Sequence, residues 1–260
     1  MRRRACFAVI FLAAAATGCV SPFSEKAEFG ITFYCPGAGN LDFGDAGVRT
    51  GLERAGFKGQ VGTLTWTVGF NPAIDQALRI NARIGALALA RHIEKYIDLY
   101  PGRSVSLVGL SAGTGVAIWA LEDLRDGYKV ENVVLLGSSL WHKYDVGKAL
   151  PRIRGRIYNY YSSHDAILAG PMKAFGTIDG VPFVDGAGAV GFSKTHGGRV
   201  VNIKWRREFE KFGYHGGHTD ATNARFVQAY LATHLMVEPP PPRKNVAIRT
   251  GTGPPAASSN

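Results

Sequence analysis

The chain has 260 residues, with 30 Lys and Arg against 20 Asp and Glu for a formal charge of +10, 46% hydrophobic residues, 33 Gly and 3 Cys. Length and apolar fraction suit a packed domain and exclude a wholly disordered chain. Three cysteines are too few for a disulfide framework, so stability has to come from a buried core.

Residues 1–18 open with Met1-Arg2-Arg3-Arg4 and run on through the apolar stretch Cys6 to Ala16, the basic and hydrophobic regions of a secretory signal. The stretch is too short to span a bilayer comfortably. Ala16-Thr17-Gly18-Cys19 resembles a bacterial lipobox, in which small residues precede a Cys that is lipidated and becomes the mature N-terminus. Ala16 stands where Leu is usual, so ordinary cleavage nearby is the alternative. The resemblance implies a signal peptide over 1–18, a lipidated linker over 19–27, and an exported protein held in the bacterial envelope through Cys19. Val20 and Ser21, with no Asp after the Cys, resemble lipoproteins sorted to the outer membrane of Gram-negative cells. Cys35 is then the only free thiol, and burial is expected for it.

Six strand-like apolar runs follow: Phe29 to Cys35, Val61 to Trp66, Val105 to Leu110, Val133 to Leu136, Ile157 to Tyr161 and Val200 to Trp205. Runs apolar on both faces suit a parallel sheet covered by helices on each side. Between the second and third runs, Ile80, Ile84, Leu87, Ala90, Ile93 and Ile97 recur at spacings of three and four, an amphipathic helix ended by Pro101-Gly102. A second helix carries Val116, Ala120 and Leu124, and a third carries Phe226, Tyr230 and His234 beside Val227, Leu231 and Leu235. The alternation predicts an α/β doubly wound, mostly parallel sheet of about six strands over residues 28–237, with its ligand site at the C-terminal strand ends. The stretch from Ala166 to Gly198 breaks the pattern, with eight glycines and Phe175, Phe183 and Phe192, and is expected to fold over one rim of the site. Residues 238–260 hold six of the 13 prolines and read as a disordered, partly polyproline tail.

After the third run comes Gly109-Leu110-Ser111-Ala112-Gly113, a G-x-S-x-G pattern followed directly by a helix. A sharp strand-to-helix turn lifts the serine above the sheet, and small flanking residues let strand and helix approach. A serine hydroxyl needs a base to take its proton and an acid to orient that base. Asp165 follows the fifth run in Ser162-Ser163-His164-Asp165, and Tyr214-His215-Gly216-Gly217-His218-Thr219-Asp220 precedes the last helix. Asp179, Asp185 and Asp220 compete for the acid, but only Asp165 follows a convincing strand.

In these residues the chain resembles the α/β-hydrolase superfamily, above all compact bacterial esterase- or lipase-like members without a large cap domain. The resemblance covers nearly all of 28–237, although the two antiparallel strands that often open that fold are read as absent. It implies Ser111 as nucleophile, Asp165 as acid and His218 as base, with His215 as the alternative base. It places oxyanion donors at Ala112 and in the loop Pro36-Gly37-Ala38-Gly39-Asn40, at Ala38 or Gly39, with Pro36 where His often stands. The activity implied is cleavage of a small-molecule or lipid carboxylic ester through an acyl-enzyme, with no cofactor and no metal. Acyl transfer or amide hydrolysis on the same fold stays open, as does a non-catalytic envelope lipoprotein that uses the fold as an interaction scaffold.

Three other patterns are weighed and set aside. Gly186-Ala187-Gly188-Ala189-Val190-Gly191 matches G-x-G-x-x-G but follows no clear strand and opens no legible helix, against a dinucleotide site. His215, His218 and Asp220 are acceptable zinc ligands, yet the Gly-Gly spacer gives no rigid face to hold them. Lys148, Arg152, Arg154 and Arg156 read as a solvated basic face. Of the +10, Arg2, Arg3 and Arg4 supply three and the tail two, so residues 28–237 carry +5. A nucleic-acid partner is not expected, and the oligomeric state is not legible.

Overall fold

The computed structural model describes residues 19–20, 22–40, 44–67, 79–170, 172–173 and 176–237. The leader 1–18, the tail 238–260 and Phe175 lie outside the described residues. Six strands form one parallel sheet: β2 (Ile31–Cys35), β3 (Gln60–Thr65), β4 (Val105–Leu110), β5 (Val133–Leu136), β6 (Ile157–Tyr161) and β7 (Val200–Lys204), in the spatial order β3-β2-β4-β5-β6-β7. Each matches an apolar run of the sequence to within two residues, because strands buried on both faces need unbroken hydrophobicity.

One further strand was not legible. β1 (Cys19–Val20) pairs antiparallel with the end of β3, Cys19 opposite Thr65 and Val20 opposite Leu64. Two residues carry no alternation, so the pairing leaves no trace in the sequence. The segment read as a linker is also fastened: Ser24 N donates to Gln60 Oε1 at 2.8 Å, Gln60 Nε2 donates to the Pro22 carbonyl at 2.8 Å, and Ala27 is buried.

Side chains alternate across the sheet into two core layers. Ile31, Phe33, Leu107, Val133 and Leu135 meet helices α2 (Arg79–Leu99) and α3 (Gly113–Asp123) on one face. Tyr34, Val108, Leu110, Val134, Leu136 and Tyr160 meet α1 (Gly44–Arg54) and the closing helical run 224–235 on the other. In that closing run a π-helical segment, Val227–Leu231, joins Ala224–Phe226 to Ala232–Leu235.

Helix α2 forms where its spacing predicts, but it is rotated from the face that spacing suggests. Its buried side is built from Ala82, Gly85, Ala86, Leu89, Ala90 and Ile93, while Ile80, Ile84 and Leu87 face solvent. The cause is Trp66: a Cβ on Gly85 would lie 2.5 Å from Trp66 Cβ, so only a small-residue face fits against the indole. The pattern of large apolar residues therefore misplaces the first half of this helix.

The glycine-rich stretch after β6 does fold over the strand ends. Ile178 N donates to the Ser139 carbonyl at 3.1 Å and Trp141 N to Asp179 Oδ1 at 2.9 Å. Phe192 is buried, whereas Phe183 is 79% exposed. Contrary to the sequence reading, the G-x-G-x-x-G segment does open a helix, the single turn Ala187–Val190. Its glycines serve packing. Gly188 N donates to the Ser138 carbonyl at 2.8 Å, and a Cβ there would strike Ser138 N and Gly137 C.

Candidate active site

The turn between β4 and α3 is closed by two glycines that have no room for a side chain. A Cβ on Gly109 would lie 2.8 Å from Thr114 Cα, and one on Gly113 would collide with the carbonyls of Cys35 and Pro36. Strand, helix and the loop after β2 therefore meet at backbone distance. Between the two glycines, Ser111 takes a φ of 53°, a left-handed conformation rare for a residue with a side chain. Its backbone is tied down from both ends. Ser111 N donates to the Leu136 carbonyl at 2.9 Å, and the Ser111 carbonyl accepts from Thr114 Oγ1 at 2.5 Å, Thr114 N at 3.1 Å and Ser139 N at 3.4 Å. Ser138 Oγ in turn donates to Thr114 Oγ1 at 3.0 Å.

Asp165 stands four residues past the last Tyr of β6. It is almost wholly buried, and its Oδ1 accepts from Ile167 N and Leu168 N, both at 3.1 Å, capping the single turn α4 (Ala166–Ala169). Its other oxygen, Oδ2, lies 2.7 Å from His218 Nδ1. This pair spans the end of β5: a Cβ on Gly137, directly after that strand, would lie 3.2 Å from both Asp165 Oδ2 and His218 Nδ1. Ser111 ends the neighbouring strand β4, so the serine, Gly137 and the Asp165–His218 pair occupy three adjacent strand ends. The structure joins Asp165 to His218 directly. Ser111 Oγ makes no hydrogen bond to either of them.

The loop that carries His218 is braced on both sides. Trp205 Nε1 donates to the Tyr214 carbonyl at 2.9 Å, Tyr214 is buried with its ring stacked on Phe209, and burial pushes its hydroxyl pKa well above the usual range. Asp220 Oδ2 accepts from His215 N at 3.1 Å and Gly217 N at 3.0 Å. Asp220 is thus a loop staple. His215 is exposed, its backbone held by Asp220, and it makes no contact with Asp165. With His218 Nδ1 engaged by Asp165, the three do not form a ligand set, and no cluster able to hold a metal occurs among the described residues.

On the opposite lip, the loop after β2 turns through Ala38–Asn40, where Gly39 has a φ of 81°. Trp66 Nε1 donates to the Pro36 carbonyl at 2.9 Å and fixes the loop's start. Because Gly113 abuts that same carbonyl, Ala112 and the loop are neighbours. The amides of Ala38 and Ala112 donate to no acceptor among the described residues. Cys35, at the end of β2, is buried, and desolvation pushes its thiol pKa far up.

Half of the basic cluster is neutralised by neighbouring acids. Arg152 pairs with Asp126 at 2.6 Å, and Arg154 with Glu131 at 2.6 Å. Gly137, Thr114 and Ser138 are the site-building residues that sequence reasoning passed over. A glycine directly after the all-apolar run Val133 to Leu136 was the available signal.

No protein family's sequence profile matches the chain. Among solved structures it is similar to lipase B of Aspergillus fumigatus, with a TM-score of 0.51 and 14% identity over 85% of this chain and 57% of the lipase, so it spans little more than half of that protein. It is also similar to a lipase-esterase related protein of Clostridium acetobutylicum, with a TM-score of 0.47 and 12% identity over 84% of this chain and 100% of the other. Dienelactone hydrolase of Anabaena variabilis matches with a TM-score of 0.45 and 16% identity over 81% of this chain and 87% of that one. Six parallel strands with helices on both faces accord with the first likeness, and the chain has the α/β-hydrolase fold.

Proposed function

We propose that the protein is a serine hydrolase of carboxylic esters, with Ser111 as nucleophile, His218 as base and Asp165 as the acid that orients it. The observation that carries this reading is the 2.7 Å contact of His218 Nδ1 with a buried carboxylate, beside a serine held in a left-handed conformation. A carboxylate on Nδ1 fixes the tautomer that leaves Nε2 able to accept a proton, and it stabilises the imidazolium that forms.

In the first half-reaction Ser111 Oγ bonds to the ester carbonyl carbon as its proton passes to His218 Nε2. The carbon–oxygen bond to the alcohol then breaks, and Nε2 returns that proton to the leaving oxygen. In the second half-reaction a water loses a proton to Nε2 and attacks the acyl carbon, and the proton goes back to Ser111 Oγ as the acid departs. Both tetrahedral stages put negative charge on the former carbonyl oxygen. The unengaged amides of Ala112 and Ala38, with Gly39 shaping the loop, supply the donors. Serine and base within a hydrogen bond of each other are not required before substrate arrives, since such contacts often tighten only in the complex.

A fluorophosphonate probe on the folded full chain tests the reading. Labelling that maps to Ser111 and vanishes in Ser111→Ala is expected. No labelling, while a known esterase labels alongside, would sink it and favour the scaffold alternative. We also propose that Cys19 carries the lipid anchor that its context resembles. A mass shift of acyl size on the processed N-terminus, lost in Cys19→Ser, is the corresponding check.

A further inference from the structure

We infer that the outward face of α2 is a docking surface for an anionic lipid bilayer, its apolar first half standing at the same end of the sheet as the candidate active site. Ile80 is 70% exposed, Ile84 45% and Leu87 43%, and positions 80, 84, 87, 91 and 95 share one helix face. Exposed Arg91 and Lys95 continue that row, with exposed Arg79 beside its apolar half, while the Arg83 guanidinium turns onto the Trp119 ring at 3.9 Å. The helix's acids lie elsewhere or at its far end. Glu94 turns inward to Arg125 at 2.8 Å, and Asp98 accepts from Tyr128 Oη at 2.9 Å.

Three contacts place this face. Gly85 packs on Trp66, directly after β3, so the first half of α2 stands at the C-terminal strand ends. The Arg79 guanidinium lies against Gly180, in the loop that Ile178 N ties to Ser139, and Ser139 N reaches the Ser111 carbonyl. Phe183, 79% exposed, belongs to that loop. The chain also enters the sheet here, Cys19 opposite Thr65, straight after its basic and apolar leader.

Interleaved aliphatic side chains and cations on one helix face match the boundary between headgroups and acyl chains, the aliphatics entering the apolar region and the cations meeting phosphates. An acidic protein or a nucleic acid would answer the cations and leave Ile80, Ile84 and Leu87 in water. Docking stands apart from the hydrolase reading. Combined with that reading, on which this step rests, it assigns the substrate class: an ester held in the bilayer, drawn across the Ile80 and Phe183 rim.

The test reads orientation, so that a leader inserted in the membrane does not mask it. The full chain, with Cys6→Ser, Cys19→Ser and Ser111→Ala, is labelled with an environment-sensitive fluorophore at Ile84→Cys or, at the opposite end of the sheet, Lys58→Cys. Vesicles of phosphatidylglycerol and phosphatidylethanolamine carrying a brominated lipid quencher are added. Quenching at Ile84→Cys at least about threefold that at Lys58→Cys is expected. Replacing Arg79, Arg91 and Lys95 by Gln should weaken this mode of binding about fivefold per cation. Equal quenching at the two positions, or none at Ile84→Cys, overturns the proposal, as does burial of the Ile84→Cys label by self-association without vesicles. No turnover enters the readout, so its failure is separable from failure of the hydrolase reading. For the substrate class, the three Gln replacements in a chain with Ser111 intact should spare cleavage of a soluble short-chain ester and depress cleavage of a vesicle-borne one. Equal effects on both reject the assignment.

Discussion

Asp165 divides its two oxygens between two tasks, and the division makes a clean mutation possible. Asp165→Asn keeps an oxygen for the amides of Ile167 and Leu168 but takes away the charge facing His218 Nδ1. Ester turnover should fall on the order of 10⁴-fold with little change in Tm. His218→Ala should cost on the order of 10⁶-fold in kcat, whereas His215→Ala, on an exposed residue without a contact to Asp165, should cost little. The reverse ranking would move the base to His215. Thr114 offers a subtler case, since its hydroxyl and amide both bind the Ser111 carbonyl. Thr114→Val should lower kcat more than it raises KM, and Thr114→Ser should restore it.

One histidine far from the site links pH to stability. His234 stacks on Tyr158 with ring centroids 3.8 Å apart and lies 3.1 Å from Tyr160 Oη through Nε2, and burial holds its pKa below the ordinary 6.5. As pH falls through 6.5 the unfolded chain takes up a proton that the folded chain refuses. Stability fully present above that value is therefore lost below it. A thermal melt series from neutral to mildly acidic pH should show Tm declining, and His234→Gln should flatten the decline. At this scale the sequence disclosed the residues that end strands, Ser111 and Asp165, because a strand end is visible as the end of an apolar run. Gly137, Thr114 and Ser138 stayed hidden because their roles come from lateral adjacency of strands, which no local spacing encodes.

Between residue and molecule, the elements differ in how their neighbours constrain them. The turn from β4 to α3 tolerates no side chain at Gly113, where a Cβ would meet two backbone carbonyls that cannot rotate away. Gly113→Ala should destabilise by about 3 kcal/mol, a loss in Tm on the order of 10 °C. Gly127→Ala, with a φ of 92° but open space around it, should cost only about 1 kcal/mol, so a pair of melts separates crowding from backbone conformation. Helix α2 gives the complementary lesson. Its position was legible from periodicity, and its orientation was not, because Trp66 selects a face of Ala and Gly over one of Ile and Leu. Size complementarity between elements outranked hydrophobic spacing within one.

Across the whole molecule, two apolar layers flank one sheet, and Cys35, on β2, belongs to the layer under α2 and α3. In a chain with Cys6→Ser and Cys19→Ser, a thiol reagent should react only as fast as the fold opens, so its rate should follow denaturant as global unfolding does. Prompt modification of the native protein would show that the β2 end is open to solvent. The parallel sheet was legible because every central strand is apolar on both faces, and the two-residue β1 was not because it is too short to carry a pattern.

The order in which the chain delivers its parts has a consequence of its own. Ser111 arrives with the fourth strand, its buried carboxylate partner 54 residues later, and His218 only after the seventh strand, on a loop braced by Trp205, Tyr214 and Asp220. The last turn of the closing run is then stapled to the far end of the sheet, by Asn132 Nδ2 to the His234 carbonyl at 2.8 Å and Ser106 Oγ to the Leu235 carbonyl at 3.2 Å. On the proposed triad, a nascent chain holds Ser111 without its base until residue 218 has been delivered and its loop has docked. On that reading the site is silent in any form that ends before residue 218.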